Sequence, residues 1–457
     1  MKNNEADLVR DADERALTYL TGIENRRVFP SNAAIDALMA FDESLPETGH
    51  PSAETLAMLD QIGSPATVAT NGPRYFGFVV GAALPVAAAA ERLMLAWDNG
   101  AALYVTSPVC ATVEDVAAKW MLDILDLPRE SAVGFGTSAT ACSLACLTAA
   151  RRALLLQAGW NPDEDGLFGA PEIRVVVSEK THITILKALR VLGFGSSRLL
   201  VAPVDAEGRI DPNRMPDLDD RTIVCLQAGE VNTGEFDPFT DIIPKARAAG
   251  AWVHIDGAFG LWARASEKMR HHTNGVEDAD SWTVDGHKWL NTPYDCAMAI
   301  CKDPAALAGA MNSDAVYATG TATAQKNLTL EFSRRARGVP VWAALRSLGR
   351  QGVAEMVERH CSQATHLASR LKKEGFDVVN SVVLNQVMVK GDNDAETRAI
   401  QAWAHESGEV WFGMSSWDGK AVFRLSISSW RTTDDDISLL VNVLITARHS
   451  FRLRQLT

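Results

Sequence analysis

The 457-residue chain has no basic excess: 44 Lys and Arg stand against 57 Asp and Glu, a formal net charge of −13. That balance opposes non-specific attraction to nucleic acid or to an anionic membrane, so neither is expected as a partner. Met1 to Arg15 is polar and charged and lacks the apolar core of a signal peptide. No apolar run is long enough to read as a bilayer span: the strongest, Val79 to Ala90, is interrupted by Gly81 and Pro85 and soon meets Glu91 and Arg92. Paired cysteine spacing is absent too. Seven cysteines at 110, 142, 146, 225, 296, 301 and 361 are an odd, scattered set, which predicts free thiols in a reducing cytoplasm. Cys142 and Cys146 lie one helical turn apart without further ligands, and His271-His272 reads as polar surface, so no metal is expected. Internal repeats are missing, and low complexity is confined to short alanine and threonine runs.

What remains is an ordinary globular composition, 47% hydrophobic and 22% charged, in a chain long enough for two or three lobes. The first sixty or so residues look helical and amphipathic, broken by Pro30, Pro46 and Pro51. Beyond Pro73, short Val/Ile runs alternate with helical segments. Ile173–Val177, Ile223–Leu226, Trp252–Ile255, Trp282–Val284 and Met298–Cys301 are candidate strands, with helices near 141–157, 182–192 and 241–249. This alternation predicts an α/β fold with a mainly parallel sheet and helices on both faces. Ala318 to Gln325 reads as a loop suited to a lid. Helices near 339–348 and 354–374, strands at 378–379, 387–389 and 421–427, and a closing helix from Asp434 form a smaller α+β lobe. The expected division is a helical arm over 1–65, a large α/β domain over 66–330 and a small C-terminal domain over 331–457.

Ligands of such sheets bind beyond the carboxyl ends of the strands, and the chemistry-bearing residues fall there. Ser281-Trp282-Thr283-Val284-Asp285 is followed by Gly286, His287 and Lys288; Trp252-Val253-His254-Ile255 ends in Asp256 and is followed by Gly257 and Ala258. A lysine in an apolar setting can be kept partly neutral and nucleophilic, as an imine-forming amine requires. A carboxylate fixed nearby would keep a pyridine nitrogen protonated. The pair points to pyridoxal 5′-phosphate carried as a Schiff base on Lys288. Lys180 and Lys187 are rivals, but their helical, exposed setting would leave them charged.

Gly134-Phe135-Gly136-Thr137-Ser138-Ala139-Thr140 reads as a turn preceding the helix Ala141–Gln157, where free N–H groups and hydroxyls suit a phosphate dianion or, more plainly, an N-cap. His182, at the end of Ser178-Glu179-Lys180-Thr181-His182, can lie over a ring or cap a helix. Gly257 and Ala258 have minimal side chains, consistent with close approach of something flat.

These segments carry a resemblance. Ser178–His182, His254–Ala258 and Asp285–Leu290 resemble the successive motifs of the group II pyridoxal phosphate-dependent decarboxylases, which include aromatic amino acid and glutamate decarboxylases. Gly136–Thr140, Ala228–Gly234 with Phe236–Pro238, and Phe423–Ser426 extend the match in order over roughly residues 70 to 450. The resemblance implies the aspartate-aminotransferase-type fold, fold type I with a seven-stranded central sheet, and a homodimer with its active sites at the interface. It implies decarboxylation of an L-amino acid to amine and CO₂. It places His182 on the cofactor ring and Ala258 near the opposite face. Ser138, Ala139 and Thr140 would hold the phosphate with Asp285 alongside, and His287 would stand beside the imine near the substrate carboxylate. Arg424 is the candidate for carboxylate recognition, and Phe76 and Phe78, with Trp97, for an aromatic-accepting pocket.

The chain departs from the family pattern at Ala141, at Glu230-Val231 and in the lid, where residues 318–330 contain no tyrosine and Tyr317 precedes them. Another reaction on the same scaffold (aminotransferase, carbon–carbon lyase or aldehyde synthase) is therefore the alternative, and a non-catalytic binding protein a third.

Overall fold

A computed structural model describes residues 5–313 and 324–456. Tyr317 and most of the expected lid lie outside the described residues. The chain forms two compact units, one of Met1–Ala82, Leu367–Val378 and Met388–Thr457, the other of Ala83–His366 and Val379–Val387. The boundaries drawn from sequence at 65 and 330 therefore move. The N-terminal arm is grouped with the C-terminal segment because its backbone joins that segment: Val28 N–H donates to Gly408 O and Phe76 N–H to Trp411 O, both at 2.8 Å. Tyr75 also stacks on Trp411 at 4.8 Å.

The larger unit is built on a seven-stranded sheet: β1 (Ala132–Gly136), β2 (Arg174–Ser178), β3 (Leu200–Ala202), β4 (Thr222–Gln227), β5 (Trp252–Asp256), β6 (Ser281–Asp285) and β7 (Ala297–Cys301). Their order is β1-β7-β6-β5-β4-β2-β3. Pairings from β6 through β5, β4 and β2 to β3 are parallel, and β7 runs antiparallel to both β6 and β1. The expected α/β class with a mainly parallel sheet is what forms. All five candidate strands are present to within two residues. β1 and β3 were not anticipated: Gly134 and Gly136 make β1 read as a turn, and β3 has only three residues.

Helix Ala139–Gln157 is long and apolar enough to cross a membrane by length and composition. Instead it lies against β5, β6 and β7, and its Ala145, Cys146, Ala149 and Ala150 are fully buried. Small side chains let its backbone come close to the sheet. Cys142 and Cys146 belong to this core as read from sequence.

In the other unit's sheet the order is β10-β11-β9-β8, with β8 (Asp377–Val378), β9 (Gln386–Lys390), β10 (Gly413–Trp417) and β11 (Lys420–Ser426). The polar Gly-Met-Ser-Ser-Trp strand β10 escaped notice. Its signal was the Asp418-Gly419 dipeptide, which closes the β10–β11 hairpin with positive φ at both positions. The two C-terminal helices expected at 339–348 and 354–374 occupy Gly338–Lys373 and break at Gly349, where φ is 63°.

Register sets the site. Gln227 lies opposite Asp256, and Asp256 opposite Thr283. Gly136 and Asp285 both face Ala297 across β7. The ends of β1, β4, β5 and β6 thus share one sheet edge.

Candidate active site

Asp285 closes β6 and is buried. Its Oδ1 accepts the Ala139 N–H at 2.7 Å, and its Oδ2 lies 3.2 Å from Lys288 Nζ. A carboxylate at a helix N-terminus meets unpaired amides and the positive end of the helix dipole. The same carboxylate also balances the lysine charge. Ser138 caps that helix, its Oγ accepting the Ala141 N–H at 3.3 Å. Both roles weighed for this turn therefore bear on one place: Ser138 is an N-cap, and one amide assigned to a phosphate, that of Ala139, is already engaged by Asp285.

His287 is buried, and its Nδ1 accepts the Cys296 N–H at 3.2 Å. A backbone amide only donates, so the neutral ring carries its proton on Nε2, which lies 3.9 Å from Asp285 Oδ2. Burial pushes the His287 pKa down, with Lys288 adding to the effect and Asp285 opposing it. Tyr294, which sequence reading did not single out, stacks on His287 with ring centroids 4.4 Å apart.

Asp256 ends β5 and is 7% exposed. Its Oδ1 accepts the Ala258 N–H at 3.2 Å. The small residue at 257 has a different cause from the one expected: a Cβ there would meet Leu261 Cβ at 2.6 Å and Thr283 O at 3.0 Å. The protein itself makes the close approach.

His182 caps helix Ile183–Val191. Its Nδ1 lies 2.7 Å from Thr184 Oγ1, and its backbone N–H donates to Gln227 Oε1 at 3.2 Å. Beside it, Gln227 Nε2 and Thr181 Oγ1 are buried without a hydrogen-bond partner among the described residues. Neither was picked out from sequence, where a glutamine ending a strand carries no special signal. Of the rival lysines, Lys187 is exposed on helix Ile183–Val191. Glu230 is buried and folds into its own turn, accepting the N–H groups of Asn232 and Thr233 at 2.7 Å each.

Arg424, Phe76 and Phe78 belong to the other unit. Arg424 lies on β11 opposite Gly413. Phe76 is fully buried in that unit's core, whereas Phe78 is 60% exposed and stacks on Trp411 at 5.5 Å. Trp97, in the larger unit, is 42% exposed. Among the described residues no group of three His, Cys, Asp or Glu side chains is arranged to hold a metal ion.

Residues 36–390 match the family model described as the pyridoxal-dependent decarboxylase conserved domain. Tryptophan decarboxylase 1 of Oryza sativa subsp. japonica is 26% identical, with 93% of this chain and 90% of that protein covered. Aromatic-L-amino-acid decarboxylase of Bos taurus is also 26% identical, covering 84% of each chain. Among solved structures, Oryza sativa TDC with PLP and tryptamine superposes with a TM-score of 0.90 at 22% identity over 99% of both chains. Mouse CSAD gives 0.87 at 19% identity over 97% of this chain and 98% of its own.

Proposed function

The chain belongs to the pyridoxal-dependent decarboxylase family and is a pyridoxal 5′-phosphate-dependent carboxy-lyase acting on an amino acid, and we propose that Lys288, Asp256 and His182 form its catalytic centre and that its substrate is an aromatic L-amino acid. The aminotransferase, lyase and aldehyde-synthase alternatives are not favoured, since the curated relatives are named as decarboxylases.

The residues present fit that cofactor. A primary amine and a buried carboxylate follow neighbouring parallel strands, and a helix N-terminus opens at the same sheet edge. Gln227 Nε2 and Thr181 Oγ1 are buried polar groups next to His182 with no partner among the described residues, and such groups are stabilised by a ligand that hydrogen-bonds them. The observation that carries the reading is the link Lys288 Nζ–Asp285–Ala139 N–H. It makes the amine and the phosphate-type helix end one electrostatic unit.

When bound, the cofactor supplies an aldehyde for amine exchange and an electron-accepting ring for the electrons left at the substrate Cα as CO₂ departs. Lys288 supplies the amine that anchors it. Asp256 would hold a proton at the ring nitrogen by charge pairing. His182 would face the ring, with Ala258 toward its other side. Ser138 and Thr140 would hold the phosphate with hydroxyl and amide groups, the Ala139 amide being held by Asp285. His287, uncharged and with its proton on Nε2, would donate a hydrogen bond without adding a second cation beside Lys288.

Aromatic specificity is supported by the tryptophan and tyrosine/DOPA decarboxylases among the relatives. A homodimer is supported by apolar residues exposed together along 93–105: Leu93, Leu95, Trp97, Tyr104 and Val105. A reducing, cytoplasmic setting is supported by seven free, buried cysteines.

The test is a panel of L-amino acids incubated with purified holoenzyme, with the cofactor spectrum and the products followed together. CO₂ and an arylalkylamine from tryptophan, tyrosine or DOPA are expected. Release of keto acid in place of amine would overturn the reaction, and turnover confined to acidic amino acids would overturn the substrate class.

A further inference from the structure

We infer that Gln325 is a positioning residue for the phosphate turn at Ser138–Thr140, acting through β1; the inference rests on the proposed reading of that turn. Among the described residues β1 is an edge strand, paired with β7 on one side only. An edge strand presents unpaired N–H and C=O groups on its open side, and these need covering. On β1 the cover comes from side chains. Gln325 Nε2 donates to Val133 O at 2.9 Å, and Phe135 N–H donates to Gln325 Oε1 at 2.9 Å. Phe135 O then accepts Arg334 Nη2–H at 2.9 Å. One amide side chain reproduces the two-bond pairing that a neighbouring strand would make.

The cover is itself fixed. Arg334 and Glu114 form a fully buried two-pronged pair, each contact 2.7 Å, and Glu114 also accepts the Gly338 N–H at 2.9 Å. Between the two bonded residues of β1, Gly134 lies under the backbone of Leu328: a Cβ there would stand 2.1 Å from Leu328 O. Gln325 is only 6% exposed.

What lies downstream gives this cover its consequence. After Phe135 the chain passes through Gly136 and Thr137 to Ser138 and to Ala139, whose N–H meets Asp285. A β1 that loses its outer bonds is held by β7 alone, and its end shifts relative to Asp285. The Gln325 amide carries on one fork both the donor for Val133 and the acceptor for Phe135; a carboxylate cannot donate and a thioether does neither well.

The test compares apo forms of the wild type, Gln325→Met and Ser138→Ala by titration with pyridoxal 5′-phosphate and with pyridoxal, which lacks the phosphate, alongside the apoenzyme melting temperature. Gln325→Met is expected to weaken pyridoxal 5′-phosphate by about tenfold, the scale of one or two lost hydrogen bonds, while pyridoxal binding is little changed. An equal loss for both ligands, or a fall in melting temperature alone, would overturn the inference by making the residue a general support of the fold. Unchanged binding in Gln325→Met with weakened phosphate binding in Ser138→Ala would overturn it and leave the turn's role standing. If Ser138→Ala also binds both ligands as the wild type does, the reading of the turn fails first. Should Gln325→Met not accumulate as folded protein, Gln325→Asn, one methylene too short to span both groups, is read the same way.

Discussion

Lys288 and Asp285 stand three residues apart in sequence and 3.2 Å apart in space, with the acid buried and the amine 20% exposed. The same acid holds the first amide of helix Ala139–Gln157. Asp285 therefore links the strand that delivers the amine to the helix proposed to meet the phosphate. Asp285→Asn keeps an oxygen for Ala139 N–H and removes the charge facing Lys288. The expected result is a folded apoenzyme destabilised by about 1.5–3 kcal/mol, the range for a hydrogen bond to a charged group, read from urea melts. Unaltered stability would show the pair to be energetically idle.

Lys288→Ala is expected to fold, to turn over no amino acid and to form no covalent adduct with the cofactor. Borohydride treatment followed by mass spectrometry checks this directly: the wild type retains the cofactor mass on the peptide containing Lys288, and the variant retains none. A labelled peptide elsewhere in the chain would reassign the amine.

Arg334→Met leaves the Glu114 carboxyl buried without its partner. Breaking one side of a buried pair costs about 3–5 kcal/mol, and both side chains here are fully buried. The double variant Glu114→Leu/Arg334→Met should recover part of that loss, because no lone charge remains. Denaturant unfolding of the wild type and the two variants measures it. Equal stability of the single and double variants would contradict a desolvated pair.

His254 lies within β5, fully buried, with Nδ1 2.9 Å from Ser281 Oγ and Nε2 unpaired. Burial pushes its pKa down to about 3. The unfolded chain protonates this histidine near the ordinary value of about 6.5, and the folded chain resists. Its contribution to stability is thus complete above about 6.5 and declines as pH falls toward 3, by about 1.4 kcal/mol per pH unit. Asp237, raised by burial to about 7, acts oppositely, its contribution declining as pH rises from the carboxylate range toward 7. The informative quantity is therefore wild type minus His254→Gln. That difference should fall with pH between 6 and 4; a flat difference would mean that His254 titrates normally.

All seven cysteines are buried and free. Burial raises Cys142 and Cys146 well above the ordinary thiol value and brings Cys225, Cys301 and Cys361 to about 12. The thiolate is the reactive form, so the native protein should show no fast-reacting thiol toward a disulfide reagent, and seven after denaturation. A rapid native reaction would locate a thiol that opens to solvent.

The sequence by itself determined the alternation of strands and helices, and with it the sheet class, because apolar runs of strand length and their spacing are local properties. It also placed Asp256, Asp285, Lys288 and Ser138 after strands or before a helix, where parallel sheets gather ligands. Where a neighbour decided the outcome, sequence was silent. β1 read as a turn, since nothing local shows that Gly134 makes room for the Leu328 carbonyl. Gly257 looked like a ligand's clearance, whereas Leu261 and the Thr283 carbonyl fill that space. The Ala139 amide looked open until the shared register of Gly136 and Asp285 on Ala297 brought a carboxylate to it. Gln325 and Arg334, both near 200 residues from the strand edge they cover, carry no pattern at all in one dimension. Hydrogen-bond partners and close approaches are made between distant segments, and only tertiary structure sets those segments side by side.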